Sequence, residues 1–510
     1  MANTTNATQG TGRGPRIGIV GAGLAGLRCA DILAHHGFDV TIIEARDRVG
    51  GRMTQQQLPN GRLVDLGPNW IHGTEDNPML DLAKQTGTCI ADWETAETLV
   101  DDSGRVCPAE EGDYYFDTMW EIILEAFDWS NEHGMTIPVE ESLWDFFLRK
   151  VPEKIPESED DYERKREMLL QVSEGWGTYI GTPVTQQSLR HFWLEECVDG
   201  DNLFCTSTYR KILEFIAKPA KEKATILYNT RVRKIEMKTA NRDKPLLLME
   251  SGQRLEFDEV VFTAPLGWLK RNLDAFDPPL PARIQQGIHA IGYGCLEKVY
   301  ISFPKAFWQT PDKEGRVTEG FCHWLSPSYD KTNPNKWTQE CVELASASAD
   351  GSPGHPTLLF YTFGDQSKHI TEKVASFVKQ EDKDAFLYDT FRPYFSRLPG
   401  YNPASDDCKP SASLSTGWLL DDLAGNGSYS NFQVGLEQAD QDIQAMREGV
   451  PKAGLWLAGE HTAPFDELAT ATGAYWSGEA VARRIAEAYG KVVDEKVEAG
   501  DEASENEEEK

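Results

Sequence analysis

The chain has 510 residues, 40% hydrophobic and 10% aromatic, too many for one core and enough for two to four folded units. A net charge of −31 argues against nucleic-acid binding and suits a cationic partner, although acidity alone also serves solubility. No apolar run approaches the ~20 residues of a membrane span. Residues 1–15 lack the apolar stretch of a secretory signal, and Glu509-Lys510 is no peroxisomal address. Nine scattered cysteines with no C-x-x-C pair read as reduced thiols without a zinc pattern, so a cytoplasmic location is expected.

Residues 1–15 read as a polar, disordered arm. Residues 17–20 read as a buried strand, 24–36 as a helix ended by Gly37, and 40–43 as a second strand stopping at Glu44. Between the first strand and the helix, Gly21, Gly23 and Gly26 give G-x-G-x-x-G spacing. Gly21 permits the tight turn, Gly23 lets a pyrophosphate approach the backbone, and Gly26 lets helix and sheet pack closely. The helix N-terminus offers unpaired N–H groups to phosphates. Glu44, 18 residues past Gly26, suits ribose hydroxyls and would repel a 2′-phosphate. Residues 46–52, RDRVGGR, add a second close backbone approach at Gly50 and Gly51, and Arg52 can reach phosphate or flavin oxygens.

Residues 61–73, GRLVDLGPNWIHG, combine turn residues with aromatic and histidine side chains. Helical spacing is expected over 77–86, 116–127, 143–150 and 162–174, with 152–161 as an exposed, Pro-rich connection. Residues 224–236, 246–250 and 255–262 read as strands. Lys298 opens an apolar run over 299–303, and lysine is seldom buried without a reason. Residues 327–356 read as loop and 365–395 as mainly helix. Residues 455–458 read as a buried strand. Ala474, Gly478, Val481, Ala482, Ile485 and Tyr489 then share one face of a helix ended by Gly490. The segment 494–510 carries nine acids against two lysines and reads as a solvated tail.

The 16–53 block, with GxGxxG, a ribose acid and a GGR turn in that order, resembles the start of FAD-dependent amine oxidases. Residues 455–490 resemble the second FAD motif of that family, and the likeness runs over most of 16–490, weakest over 92–182. Within the family the chain is most similar to fungal polyamine oxidases. The resemblance implies a two-domain α/β fold. A discontinuous, Rossmann-like FAD domain would comprise 16–95, 220–290 and 405–490, and a substrate domain with a mixed sheet flanked by helices 96–219 and 291–404, leaving an acidic tail at 491–510.

It also implies site residues. Gly21, Gly23, Ala25, Gly26, Glu44, Ala45 and Arg46 would hold the nucleotide end of FAD, with the Val232 backbone at the adenine. Gly51, Arg52, Asn69, Trp70, Trp418, Gly459, Glu460, Thr470 and Ala474 would hold the rest, the last helix stabilising the reduced ring through its N-terminus. Ser428 stands where monoamine oxidases have a flavin-linked cysteine, so FAD is expected to be non-covalent. Thr470 stands where they have a second tyrosine, which leaves Tyr429 as one aromatic wall beside the substrate. His72 in Trp70-Ile71-His72-Gly73 matches a substrate-touching histidine of polyamine oxidases. Glu195-Glu196 lies where carboxylates hold distal ammonium groups, and the choice between the two stays open. Lys298 matches the lysine that holds a water against flavin N5, with Glu297 in place of the usual asparagine.

The activity implied is oxidation of spermine, spermidine or their acetylated forms by hydride transfer. O2 is reduced to H2O2, and the imine hydrolyses to aldehyde and amine. A histone-lysine demethylase is the second enzyme reading, although neither a SWIRM module nor a long helical insertion is visible. A non-catalytic FAD-binding protein is the third, opposed by the presence of Lys298, Tyr429 and Arg52. No nucleic acid or membrane partner is expected, and the oligomeric state stays open.

Overall fold

The computed structural model describes residues 14–92, 97–311, 315, 317–331, 335–347 and 354–493. Residues 1–13 of the expected arm and 494–510 of the expected tail lie outside the described residues. Five parallel strands form the first sheet, in the order Leu455–Leu457, Glu259–Phe262, Arg16–Val20, Asp39–Ile43, Thr225–Leu227. Apolar runs buried on both faces are what a helix-covered parallel sheet requires. Helices Leu24–His35, Ala471–Ala488 and Arg210–Lys223 share the core on that sheet. The first and last of the chain's long αβ pieces meet closely. A Cβ on Gly478 would lie 2.2 Å from the Ala25 carbonyl, so only glycine allows that helix crossing.

The sequence boundaries need correction in several places. The run 224–236 is two strands in different sheets, Thr225–Leu227 and Val232–Glu236, because the chain turns at Asn229, which has a positive φ of 51°. The run 255–262 divides likewise into Arg254–Glu256 and Glu259–Phe262. The helix expected over 143–150 continues as Leu143–Lys154 through Pro152, so the exposed connection starts later. The expected loop 327–356 contains the strand Gln339–Glu343, fully buried between two partners.

The second large sheet has six strands, in the order Ala412–Ser415, Glu297–Ser302, Thr357–Thr362, Gln339–Glu343, Phe321–Trp324, Thr98–Val100. All its pairings are antiparallel except the last. Helices Ala109–His133, Leu143–Lys154 and Tyr162–Glu174 build a separate core beside it. Two expected domain limits therefore move. The boundary at 219/220 cuts the helix Arg210–Lys223, whose buried Ile212, Leu213 and Ile216 belong to the nucleotide-side core. Ala412–Ser415, expected on the FAD side, pairs instead with the strand of Lys298.

Candidate functional site

The nucleotide end is built at the carboxyl edge of the parallel sheet. A Cβ on Gly26 would lie 2.1 Å from the Gly21 carbonyl, so the helix Leu24–His35 can start so close to its strand only with glycine there. Gly23, by contrast, faces open space, and the helix it opens has no side-chain cap. Its first N–H groups, Ala25 and Gly26 among them, are thus set out as donors for an anion. The buried Glu44 carboxylate accepts from the N–H of Ala22 (2.7 Å) and of Arg46 (2.7 Å), which fixes its orientation past Ala45. Thr230 N–H donates to the Glu44 carbonyl (2.8 Å), bringing the chain that leads into buried Val232 over the same edge. A bare helix end, a glycine opening and an oriented acid fit the dinucleotide part of FAD.

A second group sits where the last helix begins. Arg52 donates to the Ser428 carbonyl (2.6 Å) and forms a part-buried ion pair with Glu460 (3.0 Å), whose other oxygen takes the Ser430 hydroxyl (2.5 Å). Burial works to raise the Glu460 carboxyl, but Arg52, His461 and the Ser430 hydroxyl together hold it below its usual range. Arg52 is therefore a brace between Gly51 and Glu460 rather than a free cation. Gly459, at φ 142°, donates to the Ser477 hydroxyl (3.0 Å). Thr470 caps the helix Ala471–Ala488, accepting from Gly473 N–H (2.9 Å), while its hydroxyl donates to Glu467. The Ala474 N–H is already bonded to the Thr470 carbonyl (3.1 Å). Thr470 thus has a structural task that the sequence expectation lacks. Arg46, in turn, is bound through both oxygens of Asp421 (2.9 and 3.0 Å), which fastens the loop after Trp418 to the nucleotide edge.

Lys298 lies on a strand whose six residues are all buried, and is itself 5% exposed. Its ammonium nitrogen donates to the Gly67 carbonyl and the Asn69 side-chain carbonyl. Burial drives its pKa well below the ordinary lysine range, while the Asp65 carboxylate opposes the fall. Tyr361 donates to Asn69 (3.3 Å) and accepts from the Trp70 indole (3.2 Å), so Asn69, Trp70 and Lys298 form one cluster. Trp418 donates to the Leu66 carbonyl (3.2 Å) in the same turn. Glu297 points elsewhere and organises the Trp418 loop, accepting from Thr416 and from Leu419 N–H (2.9 Å). It thus anchors this loop, a role that the expectation of an asparagine there does not anticipate.

The two candidate acids are separated by the structure. Glu195 ends a 3-10 turn, Phe192–Glu195, with one buried carboxylate oxygen lacking a partner. Burial pushes it up to about 8, and it lies close enough to Tyr429 to help raise that phenol above its ordinary range. Glu196 accepts instead from Asn131 on the exposed flank of the helix Ala109–His133 (3.0 Å). The Tyr429 hydroxyl donates to the Tyr179 carbonyl (2.6 Å), fixing its ring. His72 meets Asn202 through Nδ1 (2.9 Å), and burial lowers its pKa, favouring the neutral ring.

Asp65, Tyr179 and Tyr361 escape sequence reasoning. An acid ending the apolar run before Gly67 is a usable signal for Asp65. Tyr361 reaches the site through pairing of distant strands and Tyr179 through the short helix Gly177–Ile180, and one sequence reveals neither placement. Among the described residues no cluster of His, Cys, Asp and Glu suits a metal ion, and no helix is long and apolar enough to cross a membrane.

Residues 24–486 match the family of flavin containing amine oxidoreductases. The chain is 26% identical over 496 residues to probable polyamine oxidase 4 of Arabidopsis thaliana, covering 91% of this chain and 85% of that protein. It is 27% identical to polyamine oxidase 2 of the same plant, covering 94% and 90%. A lysine-specific histone demethylase 1B homolog of Caenorhabditis elegans is also 27% identical over 92% of this chain, but only 56% of that protein is spanned. A solved putrescine oxidase bound to putrescine superposes with a TM-score of 0.66 at 19% identity, covering 93% and 99% of the two chains, and shares the fold.

Proposed function

The chain belongs to the flavin-containing amine oxidoreductase family, and from that premise we propose that it oxidises polyamines with non-covalently bound FAD. The observation that carries the polyamine reading is Glu195, a half-buried residue with one buried, unpartnered carboxylate oxygen near Tyr429. When bound, FAD would supply the two-electron oxidising power for removal of a hydride from the carbon next to an unprotonated amine, with O2 as final acceptor and H2O2 as product.

The protein's part is to bind, orient and control protons. The Gly21–Gly26 turn and Glu44 would hold the nucleotide, and Arg52, Glu460 and the last helix would hold the ring end. Tyr429 and Trp70 would wall the amine, and His72, uncharged, would accept or donate without repelling a cation. Glu195 would pair with an ammonium group distant from the reacting carbon. Lys298, held by Gly67 and Asn69, would position water at the reacting end.

Two results follow. Denaturation by acid or heat is expected to release FAD, because Ser428 cannot form the thioether of a cysteine; flavin retained by the denatured chain would contradict this. Glu195→Gln is expected to raise KM for spermine or spermidine about tenfold, the loss of one charge-assisted bond. Because the free carboxyl titrates at about 8, it is mostly protonated below that pH and ionised above it. Parental kcat/KM for polyamines should therefore rise more steeply between pH 7 and 8.5 than that of Glu195→Gln, whose remaining rise reflects deprotonation of the reacting amine and of Lys298. An unchanged KM and pH profile would remove Glu195 from the site.

A further inference from the structure

We propose that Asp65 is a positioning residue for Lys298, its buried carboxylate setting the fraction of Lys298 that carries a proton in the working enzyme. This rests on the reading of Lys298 given above. Asp65 ends the strand Leu63–Asp65 and is 1% exposed. The chain then turns through Gly67 and Asn69, the two groups that accept from the Lys298 nitrogen. Two residues along the lysine's own strand, the Tyr300 hydroxyl donates to the Asp65 carbonyl (2.6 Å). The segment 65–69 is thus fastened to that strand at both Tyr300 and Lys298.

Among the described residues the Asp65 carboxylate accepts from neutral donors alone, Gln55 Nε2 (2.7 Å) and Tyr209 N–H (3.0 Å). Burial pushes the Asp65 carboxyl up to about 7, into the range to which burial brings the Lys298 ammonium down, so the two titrate together and the ionised carboxylate favours the ammonium over the amine. The other groups around Lys298 do not supply a charge. Tyr361, whose ring centroid lies 5.7 Å from the lysine nitrogen, and Tyr300 both have phenols raised far above the working range by burial. Glu297, next along the strand, points to the opposite face, where Thr416 and Leu419 N–H hold its carboxylate, and it does not act on the lysine as Asp65 does.

The chemical consequence is specific. Gly67 and Asn69 take two N–H groups whichever form is present. As an amine, Lys298 then has a lone pair to accept from water; as an ammonium, it has a third N–H to donate. Asp65 biases that choice without touching substrate.

The test is Asp65→Asn, measured on FAD-loaded protein. Two readouts are followed against pH: the rate of flavin reduction by spermidine, and the absorption spectrum of bound oxidised flavin without substrate. Removing the anion should move the transition assigned to Lys298 to lower pH by about one unit or more. The transition should vanish in Lys298→Met, and adding Asp65→Asn to that variant should change nothing further. Tyr300→Phe, which loosens the same turn but keeps the charge, should leave the transition in place. Should Asp65→Asn not retain FAD, Gln55→Ala decides: weakening the ionised carboxylate should move the transition the same way by less. A transition at the parental pH in Asp65→Asn, or in Gln55→Ala where that variant must decide, overturns the proposal. A transition that persists in Lys298→Met instead refutes the role given to Lys298 itself.

Discussion

Replacing Lys298 by methionine is expected to leave FAD bound and to slow turnover by about 10²-fold, the lower end for loss of proton-handling assistance. Methionine keeps the length and much of the volume of the side chain, so the apolar walls of the strand Glu297–Ser302 stay filled. It cannot donate to the Gly67 and Asn69 oxygens, and each loses its lysine donor. Asn69 retains the Tyr361 hydroxyl, which limits the structural loss. The effect belongs at the lower end because hydride transfer itself needs no base. Stopped-flow traces of flavin reduction and of reoxidation by oxygen divide the loss between the two. Parental rates in both, with FAD bound, would make Lys298 an ordinary buried lysine.

Glu44→Ala is expected to weaken FAD binding by roughly 10- to 100-fold, or about 1.5–3 kcal/mol, while the loaded fraction turns over near the parental rate. The carboxylate is already oriented by two backbone N–H groups at 2.7 Å, so little ordering remains to be done when a ribose arrives. Removing it also leaves the N–H groups of Ala22 and Arg46 without that acceptor beneath a buried edge. A stability loss of about 1–3 kcal/mol in the FAD-free protein should accompany the change. Titration with FAD followed by flavin fluorescence measures the first effect, and urea unfolding of the FAD-free chain the second. An unchanged FAD affinity would place Glu44 away from the cofactor.

Much of the nucleotide end is legible in the sequence, because its rules are local. A strand, three spaced glycines, a helix and an acid at the next strand end lie within residues 16–44, and backbone sterics tie Gly21 and Gly26 to their places. The helix Ala471–Ala488 is legible for the same reason, from its apolar face and terminal glycine. The substrate side is less so. Lys298 stands out as a lysine in an apolar run, yet what makes it unusual comes from residues more than two hundred positions away, Asp65, Gly67 and Asn69. Glu195 and Glu196 are indistinguishable as neighbours in sequence. Only the end of the 3-10 turn sends one inward toward Tyr429 and the other outward to Asn131. Strand limits fail where one alternating run serves two sheets, as at 224–236, since periodicity carries no information about a change of partner.

The most direct measurement is anaerobic mixing of the FAD-loaded protein with a panel of amines, following loss of flavin absorbance and then peroxide on admitting oxygen. The panel comprises spermine, spermidine, their acetylated forms, putrescine, benzylamine and a dimethyl-lysine peptide. A polyamine bearing a second cationic centre should bleach the flavin fastest and yield peroxide. Fastest bleaching by benzylamine or by the peptide, or no bleaching by any amine, would contradict the polyamine reading.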